Sequence, residues 1–440
     1  MTSPILDCFL EMKLYKELTN KQKRMIARDI NTILSLKGMT FPKNIEDIKK
    51  LGFFSPRIKV KNREVYLSDE GISAVRRICN ITNGSCKYKN QLNYNDIFQS
   101  VLLELGKWLS DELLPDTDTF ILSLDTALSK NIEEFHFTCR IDGISFDGLA
   151  GINIGGKVIA PYCSTYLNGA SDVSDKIKGV INNEYGECLI ITGEEYGSKS
   201  VALEKFYFNA ELSLSILRLY SCALSQQSIH SVNIRLINDC THSYGPASCI
   251  GQEGSSKSLI FTRYFRSTQD LKLDKGLLDY LGKELLFEQL SLLVAKESRN
   301  ELENAIIKSL YWIGESQKDK SRPSSFVKLW SALECFFTLG EDNITERNAR
   351  GIAAIIMYGD FHHKKFESYA QLKKTIKKYY KFRSKIVHNA DFSHIENIQL
   401  EEMAFISSWV VIAMVALLER GYTRLFDIGV EAQRLDAIQK

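Results

Sequence analysis

The sequence predicts an α+β multidomain protein: a mainly helical N-terminal region at 1–115, a β-rich or α+β middle domain at 116–270, and an all-α helical bundle at 271–440. Apolar residues recur at helical spacing in much of the first region, and short apolar or alternating runs bounded by Gly, Asn, Asp and Ser dominate the second. Helical periodicity returns from about Lys272 and holds to the end. A chain of 440 residues with 44% hydrophobic content can fill two or three cores.

In the first region the periodicity predicts helices over 21–37, 44–51 and 94–114. Between them Arg57 to Leu67 alternates Ile58, Val60, Val65 and Leu67 around Lys61-Asn62, which predicts a hairpin. Ser68 is placed to cap a following helix to Cys79. Helices, a hairpin and a further helix are similar to a winged-helix module, with Arg57, Lys59, Lys61 and Arg63 on its wing, although a structural or protein-contact role suits the same pattern.

Strands are expected at Thr119–Leu124, Phe135–Ile141, Lys157–Pro161, Glu187–Thr192, Val232–Ile237 and Ser258–Phe265, interrupted by a helix from about Phe208 to Ser225. The connections at Asn168–Asp175 and Cys240–Lys257 are long and polar, the kind of segment in which ligands or partners often bind. The bundle is expected to comprise helices near 274–296, 300–315, 324–338, 344–358, 367–388 and 395–420. Pro323 beside Ser324 and Ser325 marks one helix start, and Phe326, Leu329, Trp330, Leu333 and Phe337 then form a single apolar stripe. Glu334, four residues after Trp330, lies on or beside that stripe and needs a cationic partner such as Arg383 or Arg350.

Several classes of function are disfavoured. A net charge of +2 rules out a general polyanion binder, so any nucleic-acid surface must be local. Ten cysteines without a Cys-x-x-Cys pair read as reduced packing residues of a cytosolic protein. No metal site and no cofactor are expected, because Cys240 with His242, and His362 with His363, lack further ligands. Gly251 to Ser258 is not a phosphate-binding loop, since Ser256 stands where glycine must precede Lys257 and the apparent strand follows the segment. No Gly-x-Ser-x-Gly occurs. The N-terminus lacks a signal-peptide pattern, and the apolar run Met403–Leu418 falls short of the ~20 residues that span a bilayer. It reads as the buried last helix of the bundle, which leaves a cytoplasmic location and no membrane partner as the expectation.

The strongest functional signal is Arg383-Ser-Lys-Ile-Val-His388. Cleaving a phosphodiester without metal needs a group that moves protons near neutral pH and a fixed cation for the charge that develops, which histidine and arginine supply. Lys373, Lys374, Lys377, Lys378, Lys381, Arg383 and Lys385 precede His388 without an intervening acid, interleaved with Tyr379, Tyr380 and Phe382. Such a strip attracts phosphate backbones, with Lys377, Lys378, Lys381 and Lys385 as candidate RNA contacts and the rings available for bases. Five residues advance an ideal helix by about 140°. Arg383 must therefore reach round, or the helix must end between the two, or a second copy must complete the site. Asn389, Ala390 and Asp391 make a helix end here plausible.

Three stretches together resemble the Apea-like branch of the HEPN families: Phe326-Val-Lys-Leu-Trp-Ser-Ala-Leu-Glu334, Arg347-Asn-Ala-Arg-Gly-Ile-Ala353 and Tyr379-Tyr-Lys-Phe-Arg-Ser-Lys-Ile-Val-His-Asn389. The resemblance covers roughly the last third of the chain. It implies a helical bundle that dimerises and, in active members, a metal-independent endoribonuclease leaving a 2',3'-cyclic phosphate. It makes Arg383 and His388 the catalytic pair, with Glu334, Ser384, Tyr380 and Asn389 in support. Ser384 takes the polar position after the arginine, where active members often carry Asn, Asp or His. Many relatives are bacterial toxins or abortive-infection proteins. The expected protein is thus a homodimeric antiphage-defence ribonuclease whose earlier residues sense or regulate, with RNA as substrate and a phage-derived trigger or a neutralising protein as further partners. The alternatives are a non-catalytic HEPN module binding RNA or protein, and a transcriptional regulator built on the first 80 or so residues.

Overall fold

The computed structural model describes residues 14–35, 38–40, 56–60, 63–85, 87–111, 116–167, 174–224, 232–237, 247–253, 258–264, 270–319, 321–338, 343–358, 368–392 and 395–438. The fold is mixed α and β, with a helical C-terminal region. Two compact units form, one from Met1–Phe137 with Glu194–Phe206 and the other from Thr138–Gly193 with Tyr207–Lys440. The units meet in the chain after Phe137, after Gly193 and after Phe206. Within the second, Leu271–Leu273 runs parallel to Ile144–Phe146 and ties the start of the helical region to the middle region.

The first unit contains α1 Leu14–Glu17, α2 Asn20–Leu34, β1 Met39–Thr40, β2 Arg57–Val60, β3 Arg63–Leu67, α3 Asp69–Asn83, α4 Tyr94–Asp111 and α5 Thr117–Lys130. The hairpin is present as expected, β2 lying antiparallel to β3, with β1 on the other side of β3. Ser68 caps α3 by accepting a hydrogen bond from the Gly71 N–H at 3.1 Å. Ile30, Ile58, Val75, Ile78, Val101, Leu105 and Phe120 share one core, at whose edge the buried Asp29 carboxylate accepts from Arg77 at 2.7 Å.

The strand expected at Thr119–Leu124 is helix instead, lying within α5. Asp116 caps that helix by accepting from the Asp118 and Thr119 N–H groups, and Phe120, Ile121, Leu124 and Leu128 form a helical stripe longer than the run first read. The helix expected at 44–51 lies outside the described residues. On the hairpin Arg57 is bound to Glu64 at 2.7 Å and Lys59 is exposed, while Lys61 and the side chain of Arg63 lie outside the described residues.

The second unit uses a five-stranded sheet of order β6-β7-β8-β4-β9, from β4 Glu133–Asp142, β6 Ile152–Ile154, β7 Lys157–Pro161, β8 Leu189–Gly197 and β9 Arg235–Leu236. β5 Ile144–Phe146 pairs with β12 Leu271–Leu273. Gly155 and Gly156, both at positive φ, turn β6 into β7, and a Cβ on Gly155 would stand 2.4 Å from Ser213 Oγ. A helix absent from the sequence reading, α6 Asp175–Tyr185, buries no residue and so carries no core stripe. The segment rejected as a phosphate loop joins β10 Ala247–Glu253 to β11 Ser258–Tyr264, an antiparallel pair, so a strand precedes it as well as follows it and no helix opens after it.

Helix α7, Lys199–Leu224, starts well before the expected Phe208. From Ala210 to Ala223 it is buried nearly all round, as the central post of a core is. Even Arg218 is fully buried there, donating through Nε to the Ile234 carbonyl at 2.9 Å and through Nη1 to Glu211 at 2.8 Å. Burial alone would raise the Glu211 carboxyl, but Arg218 and Lys318 together hold it below its ordinary value.

The helices that follow are α8 Lys275–Leu285, α9 Phe287–Ala295, α10 Glu301–Lys318, α11 Arg322–Phe337, α12 Ile344–Tyr358, α13 Tyr369–Asn389, α14 Asn397–Glu419 and α15 Leu425–Ile438. The single helix expected at 274–296 is two, broken at Leu286 in the left-handed region with φ 60°. Tyr220 donates to the Leu285 carbonyl at 2.7 Å, Gln317 to the Arg218 carbonyl at 2.9 Å and Trp409 to the Ala223 carbonyl at 3.1 Å, so α8, α10 and α14 all lean on α7. By length and composition α14 could cross a membrane, yet 72% of its apolar window is buried in the protein. It is not the last helix, since α15 follows.

Candidate active site

The expected stripe of α11 is the bundle interior: Phe326, Leu329, Trp330 and Leu333 are wholly buried and Phe337 nearly so. Gly351 of α12 lets that helix come close, a Cβ there meeting the Phe337 ring at 2.2 Å. Against this surface lies α13, begun by Ser368 accepting from the Gln371 N–H, with Tyr369, Leu372, Ile376 and Tyr379 turned inward at helical spacing. Its N-terminal half is tied down by charges. Lys373 reaches Glu346 at 2.6 Å and Asp436 at 2.7 Å, and Lys377 reaches Glu346 at 2.5 Å. Hydrogen bonds from these two lysines hold the Glu346 carboxyl below its ordinary value.

Part of this strip makes contacts within the protein. Lys377, expected on RNA, is paired with Glu346, where one carboxylate faces two lysines a helical turn apart. The rings expected to receive bases are used inside the protein. Tyr379 is buried edge-on to Phe326 at 5.7 Å and donates to Glu402, Phe382 leans on Phe326 at 6.5 Å, and Tyr380 packs edge-on to Trp330 at 5.7 Å. Burial, reinforced by Glu402, pushes the Tyr379 phenol far above its ordinary value. The outer side of the strip remains cationic: Lys374, Lys378, Lys381 and Lys385 are exposed, with Lys378 over the Phe382 ring at 5.4 Å. Among the described residues Lys374, Lys378 and Lys381 form no ion pair.

Arg383 projects from α13 towards α11, and Nη2 donates to Glu334 Oε2 at 3.3 Å, both side chains about one-quarter to one-fifth exposed. Its Nε is buried without an acceptor among the described residues. Of the two partners expected for Glu334, the one found is Arg383. One turn on, Val387, His388 and Asn389 are exposed, and His388 makes no hydrogen bond or ion pair among the described residues. The helix does not end between Arg383 and His388. It runs regularly through Asn389, and Ala390 then closes it in the left-handed conformation with its N–H on the Lys385 carbonyl. The burial of the two side chains agrees with the offset of about 140°: the arginine faces the bundle and the imidazole faces solvent. Ser384 lies between them, half-buried and without a hydrogen-bond partner among the described residues.

The anchors Glu346, Asp436 and Glu402 were not anticipated. Glu346 adjoins the Arg347–Ala353 stretch, but nothing in the sequence places Asp436 beside Tyr369, whose hydroxyl donates to it at 2.8 Å. Among the described residues no cluster of three or more His, Cys, Asp or Glu side chains could hold a metal ion. Cys240, His242, His362 and His363 lie outside the described residues. No protein-family model, curated protein or solved structure matches the chain, and the HEPN resemblance rests on the quoted residues alone.

Proposed function

We propose that this chain is a metal-independent endoribonuclease of the HEPN type, acting in the cytoplasm in bacterial antiphage defence, with its other residues sensing or regulating. The observation that carries the reading is the contrast along one turn of α13. Arg383 is a cation held in place by Glu334, and His388 is an unengaged imidazole, with Lys378 and Lys381 on the helix's outer side. The ribose 2'-oxygen attacks the adjacent phosphorus and the bond from phosphorus to the 5'-oxygen breaks. His388 takes the 2'-hydroxyl proton or returns a proton to the leaving oxygen, and Arg383 stabilises the phosphoryl oxygens. The products are a 2',3'-cyclic phosphate and a 5'-hydroxyl, and DNA, lacking the 2'-hydroxyl, is not a substrate. Because the two side chains diverge within one chain, a homodimer assembles the complete site.

The test is incubation of the purified protein with total RNA, with and without EDTA. Cleavage should persist in chelator, leave cyclic-phosphate ends, and fall about 10²- to 10⁴-fold in His388→Ala. Wild-type cutting by folded His388→Ala excludes the motif. The same Arg383–Glu334 pairing favours a second reading, a non-catalytic RNA- or protein-binding module in which Arg383 is structural. That reading predicts RNA binding without cleavage.

A further inference from the structure

Helices α7 and α10 approach closely enough that a Cβ on Gly314 would lie 2.0 Å from Ser215 Oγ. Two turns earlier on α7, Phe208 meets Tyr311 of α10 with ring centroids 6.3 Å apart and planes inclined by 29°. Both rings are unusually open to solvent, Phe208 at 53% and Tyr311 at 40% exposure. Trp312, partly exposed, sits edge-on to Tyr311 at 5.4 Å. Rings of this size normally hide their faces, as Tyr379 and Trp330 do in the same unit.

A lysine stands beside the rings on the same helix. Lys308, exposed and one turn before Tyr311 and Trp312 on α10, lies near Cys335 of α11. Burial pushes the Cys335 thiol up to about 11, the Lys308 ammonium opposing and the Glu334 carboxylate adding to that rise. Glu334 is the partner of Arg383.

We propose that Phe208 and Tyr311 form a stacking platform for bases of single-stranded RNA flanking the phosphate held at Arg383, with Lys308 between them for the backbone. The inference rests on the ribonuclease reading of Arg383. Exposed, mutually stacked rings beside an exposed lysine suit bases joined by phosphates, because every base offers a π-face whatever its sequence. The platform takes over the role that the sequence suggested for Tyr379, Tyr380 and Phe382.

The test uses the full chain carrying His388→Ala, a fluorescein-labelled single-stranded RNA, and the same strand with one base removed at a time. Phe208→Ala and Tyr311→Ala should each weaken binding about five- to 150-fold, the range a lost aromatic–base stack gives. Phe208→Tyr and Tyr311→Phe, which keep the rings, should bind like the parent, with thermal midpoints confirming that all four fold. One or two abasic positions should reproduce the loss and add nothing to it in the alanine variants. RNA should also quench Trp312, a change absent in Trp312→Phe. Unchanged affinity in both alanine variants refutes the platform while leaving the Arg383 reading intact, and assigns the face to a protein partner. Failure of the parent to bind any RNA overturns both.

Discussion

Replacing Glu334 with Gln separates an orienting role from a merely structural one. The change keeps the shape of the side chain and one acceptor but removes the charge facing Arg383 at 3.3 Å. At that distance the Coulomb attraction is about 5 kcal/mol at an effective dielectric near 20 and about 1.3 kcal/mol in bulk water. Both groups are mostly shielded, so the true environment lies between these limits. Desolvation and side-chain ordering oppose the attraction and leave a coupling of about 1–2 kcal/mol. A double-mutant cycle with Arg383→Met, read by urea unfolding, should recover it. On RNA cleavage the effects should split. Removing a carboxylate beside the scissile phosphate leaves KM unchanged or lower, while kcat falls roughly 10- to 100-fold because Arg383 is no longer aimed. Arg383→Lys should restore little, since a point charge lacks the planar fork of guanidinium. A coupling below about 0.3 kcal/mol, or an unchanged kcat with a raised KM, would refute the orienting role; the first is within the scatter of independent sites.

Other expectations follow from burial and charge. His388→Ala should leave stability within about 0.5 kcal/mol of wild type, because the imidazole is exposed and unengaged; a large loss in chemical unfolding contradicts that placement. Glu211→Gln should cost about 2–4 kcal/mol, since it strands the fully buried Arg218, although the amide oxygen still accepts one hydrogen bond. The folded Glu211 carboxyl sits below its ordinary 4.5, so this contribution is present above that pH and is lost as pH falls through the lower folded value. Unfolding measured against pH should show the acid-side loss in wild type and its reduction in Glu211→Gln. A fragment 271–440 should fail to unfold cooperatively by circular dichroism, because it lacks α7 and leaves Trp409 and Gln317 without their acceptors on Ala223 and Arg218. A stable, cooperative fragment would show that α7 is dispensable.

Local signals in the sequence were reliable wherever one short segment decides its own conformation. Ser68 caps its helix, Arg57–Val60 and Arg63–Leu67 pair as an antiparallel hairpin, and the α11 stripe is buried residue for residue. Errors arose where a window was too short or the partner was distant. Phe120, Ile121 and Leu124 look like a strand until Leu128 and the Asp116 cap extend them into a helix. α6 leaves no apolar stripe to find, and the break at Leu286 is a left-handed residue that no glycine announces. The parallel pairing of Leu271–Leu273 with Ile144–Phe146 joins segments far apart in the chain, which no local window shows.

The candidate site divides along the same line. That Arg383 and His388 stand about 140° apart follows from helix geometry, and the regular helix through Asn389 removes the possibility that a chain break realigns them. What the sequence could not supply is the direction of each lysine and ring. The positive run from Lys373 to Lys385 looks uniform as text, yet its inward side is neutralised by Glu346 and Asp436. Its rings complete the bundle against Phe326 and Trp330. The exposed cations on the outer side of α13 are Lys374, Lys378, Lys381 and Lys385. With those rings turned inward, the stacking contacts of the proposed RNA substrate are sought on another pair of helices, where Phe208 and Tyr311 stack at 6.3 Å with their faces open.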